Sequence, residues 1–120
     1  MALTDPQSVT LNSSAVSLPR VLTDTGVGTF TNYDAKTRMR VNHTYGRRTR
    51  RNVRLDLSKI TADPLVASTN REVSASVGFW VDLPVSGFSA ADLEDLSKGI
   101  LTWLTASTYA NLKKVLAGEN

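Results

Sequence analysis

The chain has 120 residues, no cysteine, one histidine and 41% apolar content, which fits one globular domain over residues 1–120, of a size that often needs a partner subunit to complete its core. Without cysteine there is no disulfide framework and no thiolate metal site. A lone histidine leaves little for a zinc centre or a Ser-His-Asp triad, and no run approaches the roughly 18 apolar residues of a membrane span, so no cofactor, membrane or small-molecule substrate is expected.

The first residues, Met1-Ala2-Leu3-Thr4-Asp5-Pro6, lack the basic and apolar regions of a signal peptide. The sequons Asn12-Ser13-Ser14 and Asn42-His43-Thr44 then have no use, and the expected setting is a cytoplasm or a particle assembled in one. Two short alternating segments, residues 8–11 and 15–18, flank the turn-forming Asn12-Ser13-Ser14 and predict an N-terminal hairpin within residues 1–22. Pro19 suits an edge strand or a strand end, Gly26-Val27-Gly28 reads as a break, and residues 29–33 as a short strand.

The middle carries the clearest pattern. Over residues 36–45, Thr37, Met39, Val41, His43 and Tyr45 share one parity, and Lys36, Arg38, Arg40, Asn42 and Thr44 share the other. A strand sends alternate side chains to opposite faces, so one face is largely apolar and the other cationic. Residues 46–49, which include Arg47 and Arg48, read as a turn. The strand over 50–57 repeats the alternation, with Val53, Leu55 and Leu57 against Arg50, Asn52, Arg54 and Asp56. A tight connection makes the two strands antiparallel neighbours and joins their basic faces. Eight of the 14 basic residues fall within 36–54, including Arg51, and no acid does. That asymmetry points to a polyanion, most often nucleic acid.

Residues 58–69 read as a loop centred on Asp63-Pro64. A long strand follows, with Val73, Ala75, Val77, Phe79, Val81 and Leu83 on one face and Glu72, Ser74, Ser76, Gly78, Trp80 and Asp82 on the other, ended by Pro84 and Gly87. Ser89-Ala90-Ala91-Asp92 is a variant capping box. Leu93, Leu96, Ile100, Trp103 and Leu104 recur at helical spacing, residues 105–108 break the pattern, and Tyr109, Leu112, Val115 and Leu116 predict a second short helix closed by Gly118. The expected architecture is α+β: an N-terminal hairpin, an antiparallel meander sheet over residues 27–84, and two helices over 89–117. These helices cover the sheet's apolar face within one chain or by crossing onto a partner's sheet.

In this order and spacing the chain resembles the coat proteins of single-stranded RNA bacteriophages, the levivirus group. Three stretches carry the likeness: Arg38-Met39-Arg40-Val41-Asn42-His43-Thr44, Arg50-Arg51-Asn52-Val53-Arg54-Leu55-Asp56-Leu57, and Asn70-Arg71-Glu72-Val73-Ser74-Ala75-Ser76-Val77-Gly78-Phe79. The resemblance implies an obligate homodimer whose sheets pair edge to edge, each chain's helices lying over the partner's sheet. It implies dimers that build an icosahedral shell in the bacterial host cytoplasm, the polar sheet face turned inward to single-stranded RNA. It also implies repression of translation through an RNA hairpin bound on that face. The loop at 58–70 would line the symmetry axes, and the hairpin would lie on the outer surface.

The RNA contacts so implied fall on Arg38, Arg40, Asn42 and Thr44 of one strand and Arg50, Asn52 and Arg54 of the next, with Arg47 and Arg48 in the basic turn. Where the family has a base-stacking tyrosine, this chain has Ser74 or Ser76, depending on the placement of one gap. Trp80 has the parity to stack on a base, and is otherwise read as part of a subunit contact. Leu93, Leu96, Ile100, Trp103 and Leu104 read as core or dimer interface, and His43 as a packed or interface residue. Arg47, Arg48, Arg50 and Arg51 also match a nuclear-localisation cluster, against which stands the strand context on both sides. The alternative function is a dimeric RNA- or DNA-binding regulator that uses the same face without assembling.

Overall fold

The computed structural model describes residues 2–66 and 68–120; Met1, in the segment read for a signal peptide, and Ala67, in the expected loop, lie outside them. Residues 1–82 and 83–120 form two compact units.

In the first unit, β1 (Gln7–Leu11) and β2 (Ser14–Leu18) pair antiparallel as the expected hairpin. Asn12 and Ser13 take positive φ angles of 50° and 64°, the conformation that this two-residue turn requires. A five-stranded antiparallel sheet follows in the order β3 (Arg20–Asp24), β4 (Val27–Thr31), β5 (Thr37–Thr44), β6 (Arg48–Ala62), β7 (Asn70–Pro84). The chain thus runs through it as a simple meander.

Several boundaries differ from the sequence reading. The sheet starts at Arg20 rather than 27, because β3 pairs with β4 through a register shift between Arg20 and Leu22 that hides its alternation. The break shrinks to Thr25 and Gly26, and β4 begins at Val27. Gly26 is required in that turn: its φ is +73°, and a Cβ there would sit 3.0 Å from the His43 carbonyl oxygen. β6 spans residues 48–62 rather than 50–57, so Arg48 and Thr49 belong to the strand and the loop contracts to 63–69. Ser58–Ala62 lie past the end of β5, and β7 is the neighbour of β6 on its other side.

Among the described residues the buried apolar side chains are Leu18 and Phe30. Arg20 fastens the N-terminal segment beside them. Its guanidinium lies 5.1 Å over the Phe30 ring and donates to the Leu3 carbonyl at 2.7 Å, while its backbone N–H donates to the Asp5 carboxylate at 2.9 Å. A hollow of about 620 Å³ opens on this side, lined by Leu3, Phe30, Met39, Val41 and Val53 among others.

In the second unit, α1 (Ala90–Leu116) begins at the predicted capping box. Asp92 N–H donates to Ser89 Oγ at 3.2 Å, and Ser89 N–H donates to Asp92 Oδ2 at 3.1 Å. The Ser89 backbone N–H, and after it the Ser89 hydroxyl, hold the Asp92 carboxyl below its ordinary range. Since its folded value is depressed, this contribution is present above the ordinary carboxylate value and lost as pH falls through the depressed one. Ser89→Ala is expected to cost about 1 kcal/mol of unfolding free energy, read from chemical denaturation of the protein. The expected pair of helices is one element with a break at residues 106–109, where Ser107, Thr108 and Tyr109 take left-handed angles. Thr105 Oγ1 donates back to the Leu101 carbonyl at 2.9 Å, a bond that competes with the helical ladder. Asn111 Nδ2 bridges the break to the Trp103 carbonyl at 3.0 Å. Gly118, at φ +86°, closes the end: its N–H donates to the Val115 carbonyl and that of Glu119 to the Lys114 carbonyl, each at 3.0 Å.

Candidate nucleic-acid interface

The register of the three central strands turns the parity pattern into two surfaces. Arg40 stands opposite Thr29 on β4 and Arg54 on β6. Arg38 stands opposite Thr31 and Asp56, Asn42 opposite Asn52, and Thr44 opposite Arg50. Directly opposed residues share a face, so Arg38, Arg40, Asn42, Thr44, Arg50, Asn52 and Arg54 converge on one surface. The rows Gly28–Val41–Val53 and Phe30–Met39–Leu55 make the other. His43 and Arg51 oppose each other on that apolar side, with Arg51 Nη1 3.4 Å from His43 Nδ1 and the guanidinium 5.9 Å from the Tyr45 ring centre. Arg51 therefore leaves the cationic set, while Arg47 sits exposed in the β5–β6 turn.

Three carboxylates interrupt the cationic face, and two of them hold arginines in place. Arg54 Nε donates to Asp56 Oδ1 at 2.7 Å, and Arg54 Nη2 to Ser76 Oγ at 2.9 Å. The Ser76 hydroxyl in turn donates to Asp56. That hydroxyl first, then the Arg54 hydrogen bond and the charges of Arg54 and Arg38, lower the Asp56 carboxyl against an opposing burial effect. The pair consequently stays charged into acid and is lost only as pH falls through the depressed value. Ser74 and Ser76 meet Lys36, Arg38, Arg54, Asp56 and Glu72 around a groove of about 370 Å³. Both serines thus lie on the face, whichever matches the family position. Further along, Arg48 Nε lies 3.2 Å from Asp82 Oδ1 and Arg50 Nη2 4.0 Å from Asp82 Oδ2. The Arg50 guanidinium also lies 5.0 Å over the Trp80 ring.

Apart from Arg54–Asp56, which lies within β6, these pairings join β6 to β7, whose register no tight turn specifies. The one signal was shared parity: Asp56, Ser76 and Asp82 all alternate with apolar neighbours. The arrangement has anion-binding chemistry. Among the described residues no group of three or more His, Asp or Glu side chains is placed to hold a metal.

No protein-family model and no curated protein matches the sequence. Solved structures do match it. The chain of the virus-like particle of bacteriophage AVE019 superposes with a TM-score of 0.78 at 11% identity, covering 98% of this chain and 97% of that one. The fold is that of a phage coat protein. The virus-like particle of Beihai levi-like virus 21 has the same coat fold, with a TM-score of 0.66 at 17% identity over 96% of this chain and 94% of its own. The bacteriophage GA capsid protein does too, with a TM-score of 0.63 at 13% identity over 95% of each chain. In this coat fold the five cations Arg38, Arg40, Arg48, Arg50 and Arg54 line one side of the meander, while helix residues Leu96, Ile100 and Trp103 are exposed and Leu93 and Leu104 half-buried.

Proposed function

We propose that this protein is the coat subunit of a small RNA bacteriophage. It forms homodimers that assemble into a shell and hold single-stranded genomic RNA against the cationic sheet face. The observation that carries the reading is the two-faced sheet: Arg38, Arg40, Arg48, Arg50 and Arg54 gathered on one surface, and on the other an apolar surface left partly open. Each arginine–phosphate contact releases condensed counterions, which gives strong, salt-sensitive binding with little sequence preference. That suits the packaging of a whole genome. No chemistry is required of the protein, and its place is the virion, assembled in the host cytoplasm.

The dimer follows from what one chain leaves uncovered. Val77 on β7 is 69% exposed, Leu96 on α1 is 68% exposed, and Val53, Leu57, Ile100 and Trp103 are exposed as well. α1 buries none of its own residues. An amphipathic helix draws its stability mainly from packing its apolar face, and a second copy's sheet supplies that packing. β7 ends the sheet with β6 as its neighbour, so its outer edge offers unpaired N–H and C=O groups to a second β7.

Expression in bacteria, followed by electron micrographs and extraction of co-purified nucleic acid, tests this reading. Uniform particles containing RNA are expected. A small dimer that persists at high concentration would instead favour the non-assembling regulator.

A further inference from the structure

We propose that Trp80 is a stacking platform for an unpaired nucleobase, with Arg48, Arg50 and Asp82 forming the charged seat for that nucleotide's phosphate; the proposal rests on the RNA-binding reading of the sheet face.

Trp80 lies on the polar parity of β7, with Ser76 and Asp82, while Val77, Phe79 and Val81 take the other side. It is 60% exposed. A large aromatic ring left in water on an otherwise polar surface is a costly arrangement unless something flat and apolar covers it. The Arg50 guanidinium lies over the ring at 5.0 Å, so one side is occupied by a cation and the remainder stays open. Asp82 reaches both Arg48 and Arg50, at 3.2 and 4.0 Å. Two guanidinium charges against one carboxylate leave a single positive charge beside the ring, and one backbone phosphate neutralises it.

The same charges decide between a base and a protein partner. Covering Trp80 with a protein surface strips water from Arg48, Arg50 and Asp82, a penalty that a mixed-charge cluster repays only with good geometry. A nucleotide brings the missing anion with it. Its base offers a π-face to the indole whatever its sequence, so the platform is sequence-tolerant. A duplex keeps its bases in its own stack and presents none to Trp80.

The test uses the full-length protein with three probes: a ten-nucleotide oligoadenylate, a ten-base-pair RNA duplex and inorganic polyphosphate. Tryptophan fluorescence and competition against labelled RNA are the readouts. The chain has two tryptophans, and Trp80→Phe leaves Trp103 as the sole reporter. Oligoadenylate is expected to quench the native protein, with the quench absent in Trp80→Phe while affinity stays within about threefold. Trp80→Ala is expected to weaken oligoadenylate by about 5- to 100-fold and leave polyphosphate affinity unchanged. Duplex and polyphosphate should bind without the Trp80 quench. A quench that survives in Trp80→Phe, or one equally strong with duplex or polyphosphate, overturns the platform while leaving the basic face standing. If neither RNA nor polyphosphate binds the native protein, the RNA-binding reading falls and the platform with it.

Discussion

Replacing Arg40 and Arg54 together with alanine is expected to weaken RNA binding by about tenfold or more at low salt, and to flatten the dependence of log affinity on log salt by about 1.4. Each phosphate contact to single-stranded RNA contributes about 0.7 to that slope, and the variant removes two. The fold should survive. The two arginines face each other across β5 and β6, and opposed like charges destabilise a strand pair, so their removal relieves repulsion. Arg51→Ala serves as the control. It removes one arginine of the same strand as Arg54, but on the side of His43 and Val53, so it should leave the slope unaltered. Filter binding of a generic single-stranded RNA across a salt series checks both. Equal slopes for the double variant and the native protein would show that the cationic face is not the binding surface.

Placing a charge on the helix is expected to abolish the proposed soluble dimer. Leu96 and Trp103 are 68% and 50% exposed, so within its own chain an aspartate at either position meets mostly water. In a dimer with crossed helices the same carboxylate is driven into the partner's apolar face, and two-fold symmetry repeats the penalty. An unpaired buried charge costs several kcal/mol, comparable to the whole stability of a small domain. Leu96→Asp and Trp103→Asp should therefore leave the chain in the insoluble fraction, as followed by sedimentation and size-exclusion chromatography. A folded, well-behaved monomer, or an intact dimer, would contradict helices that cross to a partner.

Parity made the central strands readable before any coordinates. Met39, Val41, Val53 and Leu55 alternate with Arg38, Arg40, Asn52 and Arg54, because a sheet dry on one side and wet on the other imposes a period of two. The helix start was equally plain, since Ser89 and Asp92 satisfy each other's backbone N–H groups through local hydrogen bonds. The break expected at 105–108 lies at 106–109, where hydroxyl side chains compete with the helical ladder. β3 escaped notice because its register shift spoils the alternation. The end of β6 is not legible because Ser58–Ala62 carry no strong apolar–polar alternation. The contacts that organise the site lie in the same blind spot. Arg54 with Asp56 and Ser76, and Arg48 with Asp82, depend on how β7 docks against β6. The face that the candidate residues share is legible in the sequence; the way its acids lock its arginines is not.

The most direct measurement of the central claim is RNA–protein photocrosslinking within assembled particles, with adducts mapped by mass spectrometry. Adducts are expected on peptides carrying Arg38, Arg40, Arg48, Arg50, Arg54 and Trp80, and at side chains of the polar parity within them. Adducts centred on Arg20, His43 and Arg51, on the opposite side of the sheet, would contradict it.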